Sequence, residues 1–199
     1  SLAGQCNNLI PKYVGKFSGQ GGYIDAGSSS SMAVSSQLTV SVWINPRNFV
    51  PRQMLVERWY TGTGSVFSVE IENSLIHFYG STDGTYNGGC PDMNTNASIP
   101  LNTFHSIVFV FNNGLRSIYV DDVLRANVSG CGSTLYHGIG QDNLRIGGMT
   151  SAQYANFNGS IADVQVYNTS LDPAMVKSLY QEGIGGAPVD PTHTVVGGL

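Results

Sequence analysis

Positive charge is scarce in this chain. Its nine Lys and Arg are dispersed over 199 residues and the formal charge is -4, so a nucleic-acid backbone meets no basic footprint. Long apolar stretches are missing as well. The longest unbroken run is Ile107 to Phe111, far short of the roughly twenty residues that cross a bilayer as a helix. No Cys-x-x-Cys or Cys/His spacing is present, which argues against a zinc site. His77, His105, His137 and His193 share no metal-ligand or triad spacing, so nothing nominates a nucleophile and its base. No charged-then-apolar leader is visible; a targeting or anchoring segment is expected to have been cleaved or to lie upstream of Ser1.

What the chain does have is alternation and turns. With 41% hydrophobic and only 11% charged residues, it suits short strands joined by polar loops and is too apolar for a disordered segment. Candidate strands run over 13–17, 23–26, 38–44, 54–59, 67–71, 75–79, 105–111, 117–120, 123–127, 144–146 and 160–166. Asn112-Asn113-Gly114 and Asp121-Asp122 supply residues that tolerate positive φ and so close hairpins, which makes those aspartates structural. Near the end, alternation puts Ile161, Asp163, Gln165 and Tyr167 on one side of a strand and Ala162, Val164 and Val166 on the other. A helix follows: Asp172 is its N-cap, Pro173 its first residue, Met175, Val176 and Leu179 share one face, and Gly183 stops it.

That strand-then-helix pattern from Phe157-Asn158-Gly159 to Leu179-Tyr180 resembles the C-terminal signature of laminin-G-like, concanavalin-A-like jelly rolls. So do Lys16-Phe17-Ser18-Gly19 leading to Tyr23-Ile24-Asp25, and Leu38 to Pro46 with Trp43 as the strand's buried tryptophan. His105 to Phe111 and Ser117 to Asp122 are similar to the family's central hairpin. The resemblance implies an all-β, two-sheet antiparallel jelly-roll sandwich with one short C-terminal helix. The domain spans residues 12–183, between an N-terminal lead at 1–11 and a Gly/Pro-rich tail or linker at 184–199. It also implies Trp43 inside the core. Many relatives hold a structural calcium between an early Phe-Asp-Gly turn and the Asp of a Gly-x-Ile-Asp strand. Here Ser18 and Ala162 stand at those aspartates, leaving Gly22, Asp25 and Asp163 as the oxygen donors for such an ion.

Glu70 and Glu72 share one strand, as the paired carboxylates of some family glycosidases do. The segment Phe67 to Asn73 lacks the intervening Asp of the glycosidase pattern and runs into a turn. Phe67, Val69 and Ile71 are expected in the core and Ser68, Glu70 and Glu72 on an ordinary solvated face. Sugar recognition has better candidates, because ring faces stack on C–H patches while Asn and Asp fix hydroxyls. Trp59, Tyr60, Asp83, Tyr86, Asn87, Tyr136 and Tyr154 sit in polar, glycine-rich loops and are the expected ligand-binding residues.

Cys90 and Cys131 lie in glycine-flanked loops where a covalent tie would replace missing secondary structure, and are expected to pair. Cys6 is then odd: a free thiol, a competitor for that pairing, or a link to another domain or chain. Sequons at Asn96, Asn127, Asn158 and Asn168 fall in or beside turns. The reading is a non-catalytic carbohydrate- or glycoprotein-binding module of an extracellular or cell-surface protein, working through one sheet's concave face or its edge loops. Its alternative is a structural or spacer domain of a surface appendage or adhesin, joined to neighbours through Cys6 or the tail. Glycoside hydrolysis is disfavoured.

Overall fold

The computed structural model describes residues 14–28, 36–50, 52–59, 64–86, 88–137, 143–149 and 155–184. Cys6, Tyr60, Asn87 and Tyr154 lie outside the described residues, as do the lead at 1–11 and the tail from 185 onward. The strands are β1 (Val14–Ser18), β2 (Ile24–Asp25), β3 (Gln37–Pro46), β4 (Arg52–Arg58), β5 (Phe67–Glu72), β6 (Leu75–Gly80), β7 (Met93–Asn94), β8 (His105–Asn112), β9 (Leu115–Val120), β10 (Val123–Val128), β11 (Arg145–Ile146), β12 (Ala155–Asn156) and β13 (Asn158–Tyr167), followed by helix α1 (Pro173–Gly183). One sheet runs β1-β13-β3-β8-β9-β10; the other runs β2-β11-β4-β5-β6-β7, with β12 set parallel against β4. All other pairings are antiparallel, so the expected two-sheet sandwich is what forms. Only β7 and β12 were not anticipated, because two residues are too few for alternation to register.

The register of the hairpins is set by their turns. Asn73-Ser74, Asn113-Gly114 and Asp121-Asp122 each carry two successive positive φ values, the backbone that a tight two-residue hairpin requires. With register fixed, alternate residues enter the inter-sheet core: Val40, Val42 and Ile44 of β3, Ile107, Phe109 and Phe111 of β8, and Phe67, Val69 and Ile71 of β5. Phe78 of β6 and Phe109 stack across the two layers, their ring centres 3.6 Å apart.

The opposite face of the first sheet is covered by α1. Asp172 Oδ1 accepts the Met175 backbone N–H at 2.9 Å, as expected of the N-cap, and the helix seats Val176 and Leu179 against Val108, Val110, Tyr119 and Tyr167. Trp43 lies on this helix-covered face and not in the inter-sheet core, which corrects the expectation from the resemblance. It is only 5% exposed, but its indole stacks on Tyr180 of α1, with centroids 5.7 Å apart and planes 11° from parallel. The cause is parity: Val42 and Ile44 point between the sheets, so the residue between them must point away. Gly183 completes the fit, since a Cβ there would lie 2.4 Å from the indole.

Strand β13 departs from the alternation expected of it. Ile161 and Val166 both enter the inter-sheet core, and Ala162 and Tyr167 both face the helix side. Ile161 and Val166 lie five positions apart, as do Ala162 and Tyr167, and this odd spacing is absorbed by a bulge between Ala162 and Gln165, where Asp163 takes φ 48°. The expected disulfide Cys90–Cys131 is formed. It ties the β6–β7 connection to the segment after β10, and closing a 41-residue separation contributes about 4 kcal/mol in the chain-entropy account.

If the stack under α1 holds the helix down, Trp43→Ala lowers the free energy of unfolding by about 3–5 kcal/mol. Urea denaturation followed by circular dichroism measures it, and a loss below about 1 kcal/mol would mean that the stack is dispensable.

Candidate functional site

The outer face of the second sheet is built from the residues that β4, β5 and β6 do not send into the core. Cross-strand neighbours there are Glu57 beside Ser68 and Tyr79, Met54 beside Glu70 and His77, and Arg52 beside Glu72 and Leu75. Ser68 and Glu70 were expected on a solvated face; both are instead fully buried. The reason is an arginine eighteen residues earlier in the chain: Arg52 Nε and Nη2 both donate to Glu70 Oε1 at 2.8 Å, so the carboxylate is covered by its own counter-charge. Ser68 Oγ also approaches Glu70 Oε2, at 3.3 Å.

Other contacts extend this network. The Tyr79 hydroxyl donates to Glu72 Oε2 at 2.9 Å, and the Arg52 guanidinium lies 5.0 Å from the centre of the Tyr79 ring. His77 stacks on Tyr79 and sets Nδ1 3.1 Å from Asp92 Oδ1. On the neighbouring strand β11, Arg145 Nη1 lies 3.4 Å from Glu57 Oε1 and 3.5 Å from the Trp59 carbonyl.

Burial pushes the Glu70 carboxyl up to about 7, because desolvation outweighs the pull of Arg52 in the other direction. The same burial works against the Arg52 charge. That side chain keeps 17% of its surface in water, however, and Glu70 holds its guanidinium above the ordinary arginine range. Tyr79 is held well above the ordinary tyrosine range by its burial and by its bond to Glu72.

At one end of this face stands a loop rim. Gly64 and Ser65 backbone N–H groups both donate to the Gly84 carbonyl, which joins the segment after Trp59 to the loop 81–86, and Tyr136 N–H donates to the Ser81 carbonyl at 2.8 Å. Asp83 Oδ1 accepts from the Thr85 N–H and hydroxyl, each at 2.8 Å, so Asp83 organises the loop; those bonds keep its carboxyl below the usual range. Gly84 lies over the Tyr136 ring, where a Cβ would come within 2.7 Å.

Trp59, Asp83, Tyr86 and Tyr136 are therefore brought together, while Tyr60, Asn87 and Tyr154 lie outside the described residues. Trp59 itself is 5% exposed, packed with Met54 and Met149, and meets the edge of Tyr86 at 5.9 Å. Tyr86, at 52% exposure, is the ring that faces solvent. Arg52, Glu72, His77 and Tyr79 were not among the expected site residues. Their signal was present in the polar positions of β4, β5 and β6, but alternation alone does not distinguish a binding face from a wet one.

Gly22, Asp25 and Asp163, the residues expected to hold calcium, are all among the described residues. Asp25, on β2, accepts from Gly27 N–H and Asn143 Nδ2, each at 2.8 Å, and Asp163, on β13 of the other sheet, accepts from Gln165 Nε2. Among the described residues no three His, Cys, Asp or Glu side chains form a metal-holding group. A different pair of oxygens converges at Gly148: a Cβ there would lie 2.0 Å from the buried, unpartnered Asn156 Oδ1 and 3.2 Å from the Gly22 carbonyl. Of the sequon residues, Asn96, Asn127 and Asn168 are exposed and Asn158 is half-buried.

A laminin G model of the Concanavalin A-like lectin/glucanases superfamily matches residues 18–177. The fold is similar to that of the CBM40 module of the Ruminococcus gnavus IT-sialidase, bound in that structure to α2,3-sialyllactose. The TM-score is 0.68 at 17% identity, over 87% of this chain and 99% of that one. It is also similar to the heptameric SAP-like pentraxin of Limulus polyphemus, with TM-score 0.60 and 14% identity over 87% of this chain and 89% of that one. A longer Bacteroides ovatus protein described as carbohydrate binding gives TM-score 0.62 at 14% identity, over 78% of this chain; the chain spans 43% of its length. At these identities the likeness is one of fold. No curated protein matches the sequence.

The Glu70 carboxyl generates a pH prediction. Its folded value lies above its ordinary 4.5, so the folded protein holds this proton more tightly than the unfolded chain. The resulting stabilisation is complete below about 4.5 and is lost as pH rises through about 7. Relative to Glu70→Gln, the wild type should lose on the order of 3 kcal/mol of unfolding free energy between pH 4.5 and 7.5. Urea titrations of both proteins across that range test it, and a constant difference between them would show that Glu70 titrates normally.

Proposed function

Because the chain belongs to the Concanavalin A-like lectin/glucanases superfamily, we propose that it is a non-catalytic carbohydrate-binding module of an extracellular or cell-surface protein. The observation that carries this reading is the solvent-facing Tyr86 ring beside a sheet face of ordered acceptors and donors: Glu72, Tyr79, Arg52 and His77. A ring for C–H stacking next to charged hydrogen-bonding groups is what sugar recognition needs. The carbohydrate-binding neighbours of the same fold support it. Secretion is supported by the Cys90–Cys131 disulfide, a bond that persists in oxidising compartments.

Glycoside hydrolysis gains little support from the two glutamates. Glu70 is enclosed with Arg52, and Glu72 accepts from Tyr79, so neither is presented as an acid beside an open nucleophile. A structural calcium near Gly22, Asp25 and Asp163 stays in the proposal as an element separate from sugar contact. The alternative of a structural or spacer domain has no specific observation in its favour.

The expected outcome is binding of the purified chain to defined sugars on a broad glycan array, run in calcium and in chelator. Tyr86→Ala should weaken that binding about tenfold through loss of a stacking ring. A blank array under both conditions overturns the reading, and sugar binding untouched by Tyr86→Ala moves the site elsewhere on the module.

A further inference from the structure

Charge on the outer face of the second sheet is unevenly distributed. The sequence has nine basic side chains, and on this face only Arg52 and Arg145 are found among the described residues. Lys16, Arg116, Arg125 and Lys177 stand on strands of the other sheet or on α1, Arg47 directly follows β3 of that sheet, Arg58 shares the core-facing parity of Phe67, and Lys12 lies outside the described residues. Residues 60–63, 87, 138–142 and 150–154 contain no Lys or Arg. Both guanidiniums of the face are already engaged, Arg52 by Glu70 and Arg145 by Glu57.

Against these two cations the face and its rim set five carboxylates: Glu57, Glu70, Glu72, Asp83 and Asp92. Those nearest to solvent are anionic acceptors. Asp92 is exposed opposite His77, Asp83 is exposed on the rim, and Glu72 is half-buried beside Tyr79. A carboxylate is the strongest acceptor a protein offers to a hydroxyl, and it repels a second anion brought within hydrogen-bonding range. Among the described residues of this face, an incoming carboxylate or sulfate finds each guanidinium already paired with a glutamate, which it would have to displace.

From this we propose that the site selects uncharged, hydroxyl-rich sugars and rejects sugars that carry a carboxylate or a sulfate. The inference rests on the carbohydrate-binding reading above and gives it a ligand class. It sets this chain apart from the neighbouring module that was solved with α2,3-sialyllactose, whose fold it shares.

The test is an array on which neutral oligosaccharides are printed beside their own sialylated and sulfated derivatives, with affinities of matched pairs then measured at low and high sodium chloride. Each added anion should weaken binding at least tenfold at low salt. That penalty should shrink at high salt, where repulsion is screened, while binding of the neutral parent stays nearly constant. Derivatives that bind as well as or better than their neutral parents, or hits confined to acidic sugars, overturn the ligand class and leave the lectin reading standing. A blank array overturns both.

Discussion

The alternation of β5 is the constraint on which the rest of this molecule depends. Phe67, Val69 and Ile71 must enter the inter-sheet core, and that demand forces Ser68, Glu70 and Glu72 onto the other face whether or not water is there to receive them. The sandwich is closed by the same residues that expose the polar row. Each apolar side chain buried contributes about 1.5–3 kcal/mol, so the core fixes the register and the polar face follows from it. Arg52 then answers the polar row from the neighbouring strand, making the face a network of paired groups rather than a wet surface.

The first sheet meets the same constraint by a different route. Its outer face carries Trp43, Val108, Val110 and Tyr167, which are apolar, and the chain covers them with α1. One sheet thus has its second face sealed by a helix, and the other keeps a second face of charge and rings. The division leaves the aromatic loops gathered beside the polar face rather than over the helix.

Much of this was legible in the sequence where the signal is local. Hairpin turns at Asn113-Gly114 and Asp121-Asp122, the Asp172 cap, the end of α1 at Gly183 and the pairing of Cys90 with Cys131 all depend on a few adjacent residues or on glycine-flanked loops. Signals that depend on residues distant in sequence were not legible. Parity sets the side to which Trp43 points, but what buries it there is a helix more than a hundred residues later. The parity of β13 turns on one bulged residue, Asp163, that no alternation rule anticipates. Glu70 looked solvated because its cover, Arg52, belongs to another strand, and the candidate-site residues Arg52, His77 and Tyr79 stayed hidden for the same reason.

The Cys90–Cys131 bond has a mechanical meaning as well. A pull applied to the two ends of the chain travels from Cys90 to Cys131 through sulfur and bypasses everything between them, including β7, β8, β9 and β10. On the order of 140 Å of extended contour is therefore withheld from stretching. Under load, the strands that can be peeled away are those outside the bridge, and β8, which carries three of the core's inter-sheet residues, lies within the part that tension cannot lengthen.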